Sequence, residues 1–229
     1  MKVKKVIALL GSTRGSKTVT ESIADYLMKE FKNYEVNLIK YRAHQIFQDE
    51  KEVSNFIKDL GNSEVFLIVS PVYVHSLPYP IIHLMERIDD LTHKEFWSDK
   101  FISAVIHNGY PKDIQRKSSK EICYNFSKKM GSNWLGALGF GGSPLIDGKP
   151  LEEVGWFTKN MRKSLDEFSK NIINKNKISP KAHKYEKKHF PPIPLHILKF
   201  LMNILAKKEA KKKDINLFAQ PYNNNLRRS

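Results

Sequence analysis

Val6-Ile7-Ala8-Leu9-Leu10-Gly11-Ser12-Thr13-Arg14-Gly15-Ser16-Lys17-Thr18 is the stretch from which the rest of the chain is read. From Val3 to Leu10 the residues are nearly all apolar, the pattern of a parallel strand buried on both faces and therefore central in its sheet. After Thr18, the residues Val19, Ile23, Tyr26, Leu27 and Phe31 recur at helical spacing. The loop between strand and helix thus faces the free N–H groups and the positive dipole end of that helix, a natural seat for an anion. Gly11 and Gly15 suit a tight turn, the hydroxyls of Ser12, Thr13, Ser16 and Thr18 supply donors, and Arg14 and Lys17 supply charge.

Two anion-binding architectures compete for this loop. It differs by one residue from the triphosphate-binding signature G-x-x-x-x-G-K-[ST], with Ser16 in place of the second glycine. A triphosphatase also needs an acid at a strand tip to hold magnesium, but the next apolar strands end in Val69-Ser70-Pro71 and Ile106-His107-Asn108. The dinucleotide fingerprint G-x-G-x-x-G is absent as well. A flavin mononucleotide phosphate needs donors but no metal, and this loop offers them.

Working outward, strands are expected at Tyr34–Tyr41, Val65–Val69, Phe101–Ile106 and Trp134–Phe140. Helices are expected at Asp49–Leu60, Pro80–Leu91, Ile114–Met130 and Leu151–Ile173. Five strands joined by helical crossovers make an α/β fold with helices on both faces of a parallel sheet, and the flavodoxin-like order 2-1-3-4-5 is the natural solution. In that order the first and third strands flank the topological switch point. Their C-terminal loops are the two chemically unusual ones: residues 11–18 and Ser70-Pro71-Val72-Tyr73-Val74-His75-Ser76-Leu77-Pro78.

The formal charge of +15 is unevenly placed. From Asn171 to Ser229 there are 14 Lys and Arg against 3 acids, a net +11 that leaves +4 for the preceding 170 residues. The body is therefore ordinary in charge and gives no compositional support to nucleic-acid binding. The single cysteine, Cys123, rules out an internal disulfide and any cysteine-rich metal or iron–sulfur cage, and no metal site is expected. Val3–Leu10 lacks signal-peptide form, which leads to the expectation of a cytoplasmic protein.

One full domain is expected, a flavodoxin-like FMN-binding domain at 1–173, followed by a basic C-terminal arm at 174–229. The arm reads as an extended, proline-containing segment over 174–194 followed by a short apolar helix, Leu195–Ala206, and a lysine cluster. That helix is too short to span a bilayer. The width of its apolar face favours docking on the body or on a second subunit, with weak contact to an anionic membrane surface as the alternative.

With these loops and His107-Asn108-Gly109-Tyr110 in view, residues 1–170 resemble the NADPH-dependent FMN reductase and flavodoxin-like NAD(P)H oxidoreductase family. The Gln220-Pro221-Tyr222 ending is similar to that of related bacterial chains. The resemblance implies bound FMN, NAD(P)H as co-substrate, and a homodimer or homotetramer. It implies hydride transfer from nicotinamide to flavin N5 and on to a small oxidised acceptor such as a quinone, a nitro or azo compound, or flavin. No protein side chain need be catalytic, because the flavin carries the chemistry. Carried over by position, Ser12, Arg14, Ser16 and Thr18 hold the phosphate, with Lys17 adding charge or pointing outward. Pro71, Val72, Tyr73 and Ser76 line one side of the isoalloxazine, and Asn108, Gly109 and Tyr110 meet its edge. Lys17 stands where many relatives have asparagine, and Thr13 where proline is frequent. The alternatives are a flavodoxin-like FMN electron carrier without nicotinamide chemistry, and a non-flavin adaptor acting through the basic tail.

Overall fold

Apolar side chains alternate faces along each inner strand, and both faces are buried. In the computed structural model β1 (Lys5–Leu10) turns Val6, Ala8 and Leu10 to one core and Ile7 and Leu9 to the other. The structure describes residues 2–111, 113–189 and 195–216. The chain separates into two units, 1–190 and 191–229.

In the first unit β1 is followed by α1 (Val19–Lys32), β2 (Asn37–Arg42), a one-turn α2 (Ala43–Ile46), α3 (Glu50–Gly61) and β3 (Val65–Pro71). Next come α4 (Tyr79–Leu91), a short α5 (Lys94–Trp97), β4 (Phe101–His107), α6 (Ile114–Met130) and β5 (Asn133–Phe140). α7 (Lys159–Ile173) and α8 (Pro180–His189) complete it. The sheet has five parallel strands in the order β2-β1-β3-β4-β5, the flavodoxin-like order expected. α1 and α7 pack with one core cluster, through Ile23, Leu27, Phe31, Leu165 and Phe168. α3, α4 and α6 pack with the other, through Phe56, Leu84, Ile88 and Phe126, where Trp97 is fully buried. Crossovers on both faces bring the C-terminal ends of β1 and β3 side by side, which is where the site lies.

Three expectations are corrected. Residues 151–158 form turns rather than the start of a helix, so α7 begins only at Lys159. The 174–194 stretch is not extended throughout, because Pro180 opens a regular helix, α8, in a first turn where a missing N–H costs nothing. α8 belongs to the first unit, which therefore runs to Phe190 rather than ending at Ile173. It covers the open edge of the sheet: Ser164 Oγ donates to the Ala182 carbonyl (2.9 Å), and the Gly139 N–H of β5 donates to Glu186 Oε1 (2.5 Å). Together with the Ile178 N–H to Leu135 carbonyl bond (2.8 Å), these contacts satisfy an edge that would otherwise invite pairing with another chain.

The second unit contains α9 (Leu195–Lys212), which continues beyond the expected apolar segment into the lysine cluster. Residues 191–194 and the Gln220-Pro221-Tyr222 ending lie outside the described residues. Among the described residues no helix is long and apolar enough to cross a membrane.

Candidate flavin site

The loop after β1 leaves the sheet at Gly11, whose N–H donates to the Val69 carbonyl (2.9 Å). A side chain there has no room, since a Cβ would lie 2.3 Å from Ser70 Oγ. Gly15, by contrast, faces open space, and the left-handed residue of the loop is Lys17 (φ 64°). Thr18 is the N-cap of α1: its hydroxyl accepts from the Glu21 N–H (3.2 Å), a cap worth about 1 kcal/mol. The cap orients the helix and leaves the Thr18 hydroxyl hydrogen for another acceptor. Ser12 is buried, its Oγ accepting from the Arg14 N–H (3.3 Å) and its carbonyl from His44 Nδ1 (2.9 Å). The carboxylates nearest the start of α1 are already engaged, Glu21 by Arg42 and Lys40, and Asp25 by Lys40. Arg14 and Lys17 are exposed and make no salt bridge among the described residues.

Across the switch point, the Val72 N–H donates to the His107 carbonyl (2.9 Å), extending the β3–β4 pairing into the second loop. Tyr73 and Ser76 then exchange two backbone hydrogen bonds (2.9 and 3.0 Å) around Val74 and His75, both with positive φ (49° and 65°). This is a primed turn built without glycine, and a β-branched residue in that conformation is strained. Tyr73 leans back over the first loop, its hydroxyl 3.4 Å from Thr13 Oγ1.

These loops enclose a cleft of about 360 Å³. Ser12, Arg14, Lys17, Thr18, Pro71, Val72, Tyr73, Asn108 and Gly109 line it, so most of the residues named from sequence come together. The remaining three stand apart. Ser16 lines the neighbouring depression with Glu21 and Lys40. Ser76 closes the turn through its backbone. Tyr110 is exposed, and its carbonyl is taken by Arg116 Nη1 (2.8 Å). The Asn108 side chain is also engaged, its Oδ1 accepting from Arg116 Nη1 (2.6 Å), so Asn108 is held in place rather than free to follow a ligand.

Sequence reasoning missed two groups of lining residues. The first is the segment after β5, contributing Ser143, Pro144, Asp147 and Gly148. It lies against the first loop: Gly148 has φ 70°, and a Cβ there would sit 2.1 Å from the Lys17 carbonyl oxygen. The Gly141-Gly142-Ser143-Pro144 run signals a turn, but not which loop it meets. The second is Thr20, whose Oγ1 meets Nε2 of His107 (2.9 Å), the first residue of the third loop read from the sequence. His107 is buried at the end of β4, and burial, helped by the positive charge of Arg116, holds its pKa down to about 3. Its Nδ1 has no hydrogen-bond partner among the described residues. A buried polar atom of this kind calls for a ligand atom or water.

The cleft lining thus combines hydroxyl donors, the cations Arg14 and Lys17, the carboxylate of Asp147 and the apolar surfaces of Pro71, Val72 and Pro144. That donor set fits a phosphorylated flavin: an anion held without metal and a planar ring against apolar surface. Among the described residues no group of acids, histidines and cysteines is placed to hold a metal ion.

No curated protein matches the chain. Solved structures of similar fold include RosB with bound 8-demethyl-8-formylriboflavin-5′-phosphate, with 11% identity, 94% of this chain and 90% of that chain covered, and a TM-score of 0.60. An apo NADH:FMN oxidoreductase, EmoB, has 12% identity, 78% and 93% coverage and a TM-score of 0.56. An FMN-dependent NADH-azoreductase from Bacillus anthracis in complex with FMN has 12% identity, 75% and 100% coverage and a TM-score of 0.53. Identities this low show a shared fold. The model of the NADPH-dependent FMN reductase family matches residues 4–117, the segment that carries all three loops of the switch-point cleft up to Asn108-Gly109. That match covers 114 of the chain's 229 residues, and over this segment the chain is similar to the NADPH-dependent FMN reductase family.

Proposed function

We propose that the protein is an FMN-dependent oxidoreductase that takes hydride from NADH or NADPH and passes it to a small oxidised acceptor. The observation that carries this reading is the meeting of three loops at the switch point: the hydroxyl-rich, cationic loop after β1, the apolar second loop, and His107-Asn108-Gly109. A bound flavin supplies the hydride chemistry itself.

The chain's own residues bind and orient. Ser12, Thr18 and the first N–H groups of α1 hold the phosphate, with Arg14 and Lys17 adding charge from the rim. Pro71 and Val72 support the ring from the β3 side. Asn108, pinned by Arg116, fixes the course of the 107–109 backbone at the ring edge. His107 is neutral at pH 7 and is held at the end of β4 by the contact of its Nε2 with Thr20 Oγ1. No side chain in this set is placed as a general acid or base for a substrate.

The test is the visible absorption spectrum of the purified protein with added FMN, followed by anaerobic addition of NADPH or NADH. A flavin spectrum that bleaches on addition supports the oxidoreductase. Bound flavin that stays oxidised supports the electron carrier, and no bound flavin removes the reading of the cleft.

A further inference from the structure

A second cleft, of about 940 Å³, lies on the other side of the 107–111 loop. One wall is α6, which presents Arg116 and Lys120; the other is α8. Pro180, His183, Lys184, Lys187 and Lys188 all line it, and their spacing places them on one face of α8. The cleft is therefore the surface that this helix face was built to present.

Its charge is lopsided. Lys120 is paired with both Asp113 (3.1 Å) and Glu186 (3.0 Å), and His183 Nδ1 lies 2.6 Å from Glu186. Arg116 reaches Asp113 (3.3 Å) and otherwise donates to backbone carbonyls and to Asn108. These contacts use both acids of the cleft. Lys184, Lys187 and Lys188 remain exposed, without a salt bridge among the described residues. Like charges one helical turn apart destabilise a helix, so an anion between them relieves a standing repulsion. The lining also includes the apolar residues Pro111, Ile178 and Pro180, surface suited to a flat ring. Cationic side chains beside apolar surface are the chemistry that a nucleotide, with a flat base and a phosphate, would use.

The cleft is coupled to the flavin site by one side chain. Arg116 lines the large cleft while its Nη1 holds Asn108, which lines the small one. We infer that the large cleft binds the 2′-phosphoadenosine end of NADPH, and that Lys184, Lys187 and Lys188 make the protein prefer NADPH to NADH. This inference rests on the oxidoreductase reading above. It lies outside the segment matched by the family, since α8 begins 63 residues beyond residue 117.

The experiment uses the full-length, FMN-loaded protein. Calorimetric titration with 2′,5′-ADP and with 5′-AMP is run on the wild type and on the Lys184→Ala/Lys187→Ala/Lys188→Ala variant, alongside the ratio of kcat/KM for NADPH over NADH. Wild type is expected to bind 2′,5′-ADP on the order of tenfold more tightly than 5′-AMP, as the loss of a charge-assisted phosphate contact implies, and the variant is expected to lose that margin together with the NADPH preference. Removing three mutually repelling exposed lysines leaves folding intact, and thermal melting of the variant checks this. Should the triple variant fold poorly, Lys187→Gln and Lys188→Gln are read singly for the same loss. Equal binding of the two nucleotides, or a margin unchanged in the variants, overturns the inference while leaving the flavin reading standing. Failure of both NADPH and NADH to bleach the flavin overturns the oxidoreductase reading, and the coenzyme assignment falls with it even if 2′,5′-ADP binds.

Discussion

Acid should unfold this protein through two buried histidines well before its carboxylates titrate. His107 and His189 are both nearly inaccessible, and burial holds their pKa values down, to about 3 for His107 and about 4 for His189. His189 donates from Nε2 to the Gly141 carbonyl (3.2 Å), a bond that partly offsets the desolvation, while Arg116 opposes protonation at both sites. In the unfolded chain each histidine titrates near 6.5. Folded values below unfolded ones mean that the stabilisation is complete above about pH 6.5 and drains away as pH falls toward the folded pKa. Between pH 7.5 and 5.0 the linkage relation gives a loss of roughly 2 kcal/mol per histidine, about 4 kcal/mol for the pair. That is a large share of a typical domain's 5–15 kcal/mol or so. Asp59, Glu152 and Glu167, whose pKa values are lowered in the fold, release their stabilisation below this window. Glu30, raised mainly by burial, works weakly in the opposite direction. The assay is urea unfolding at fixed ionic strength at several pH values from 7.5 to 5.0, on wild type, His107→Gln, His189→Gln and the double variant. Each single substitution should remove about half of the pH-dependent loss, whatever it does to stability at pH 7.5. Parallel curves for wild type and the double variant would refute the assignment.

Three further outcomes follow from the geometry of the cleft. Arg14→Ala should weaken FMN roughly tenfold, the low end for an exposed charge-assisted phosphate contact, and leave riboflavin binding unchanged; equal weakening of both, in a fluorescence titration, removes Arg14 from the phosphate site. Gly148→Ala forces a Cβ against the Lys17 carbonyl at a positive-φ position, and should cost about 2 kcal/mol or more in unfolding free energy while weakening FMN; a change below about 0.5 kcal/mol would show that the two loops separate freely. Val74→Asn replaces a strained, 95% exposed β-branched residue with one that tolerates φ of 49°, and should raise stability by about 1 kcal/mol; a lower melting temperature would mean that Val74 makes contacts beyond this chain's own turn.

What the sequence determined by itself is what short-range physics controls. Near-continuous apolar runs such as Val6–Leu10 and Val65–Val69 can only be inner parallel strands, and helical periodicity between them forces crossovers, so the sheet order and switch point were legible. The loop from Gly11 to Thr18 was legible as an anion seat because donors, charge and a helix start are adjacent in the chain. Tertiary structure alone decided what depends on segments distant in sequence. Pro180 and a run of lysines have the composition of a linker, yet α8 forms because Ala182 is buried and Glu186 accepts the free edge N–H of Gly139. His107 carries no local sign of burial; the packing of Thr20 and Arg116 around it makes it a neutral residue lining the cleft. Ser143–Gly148 joins the site only because Gly148 fits against the Lys17 backbone. Tyr110 and Ser76 leave the site because Arg116 and a primed turn set the direction of their loops. Patterns of neighbours fix the elements, while the assignment of side chains to one cleft rests on steric fit and desolvation between residues that meet only in the folded state.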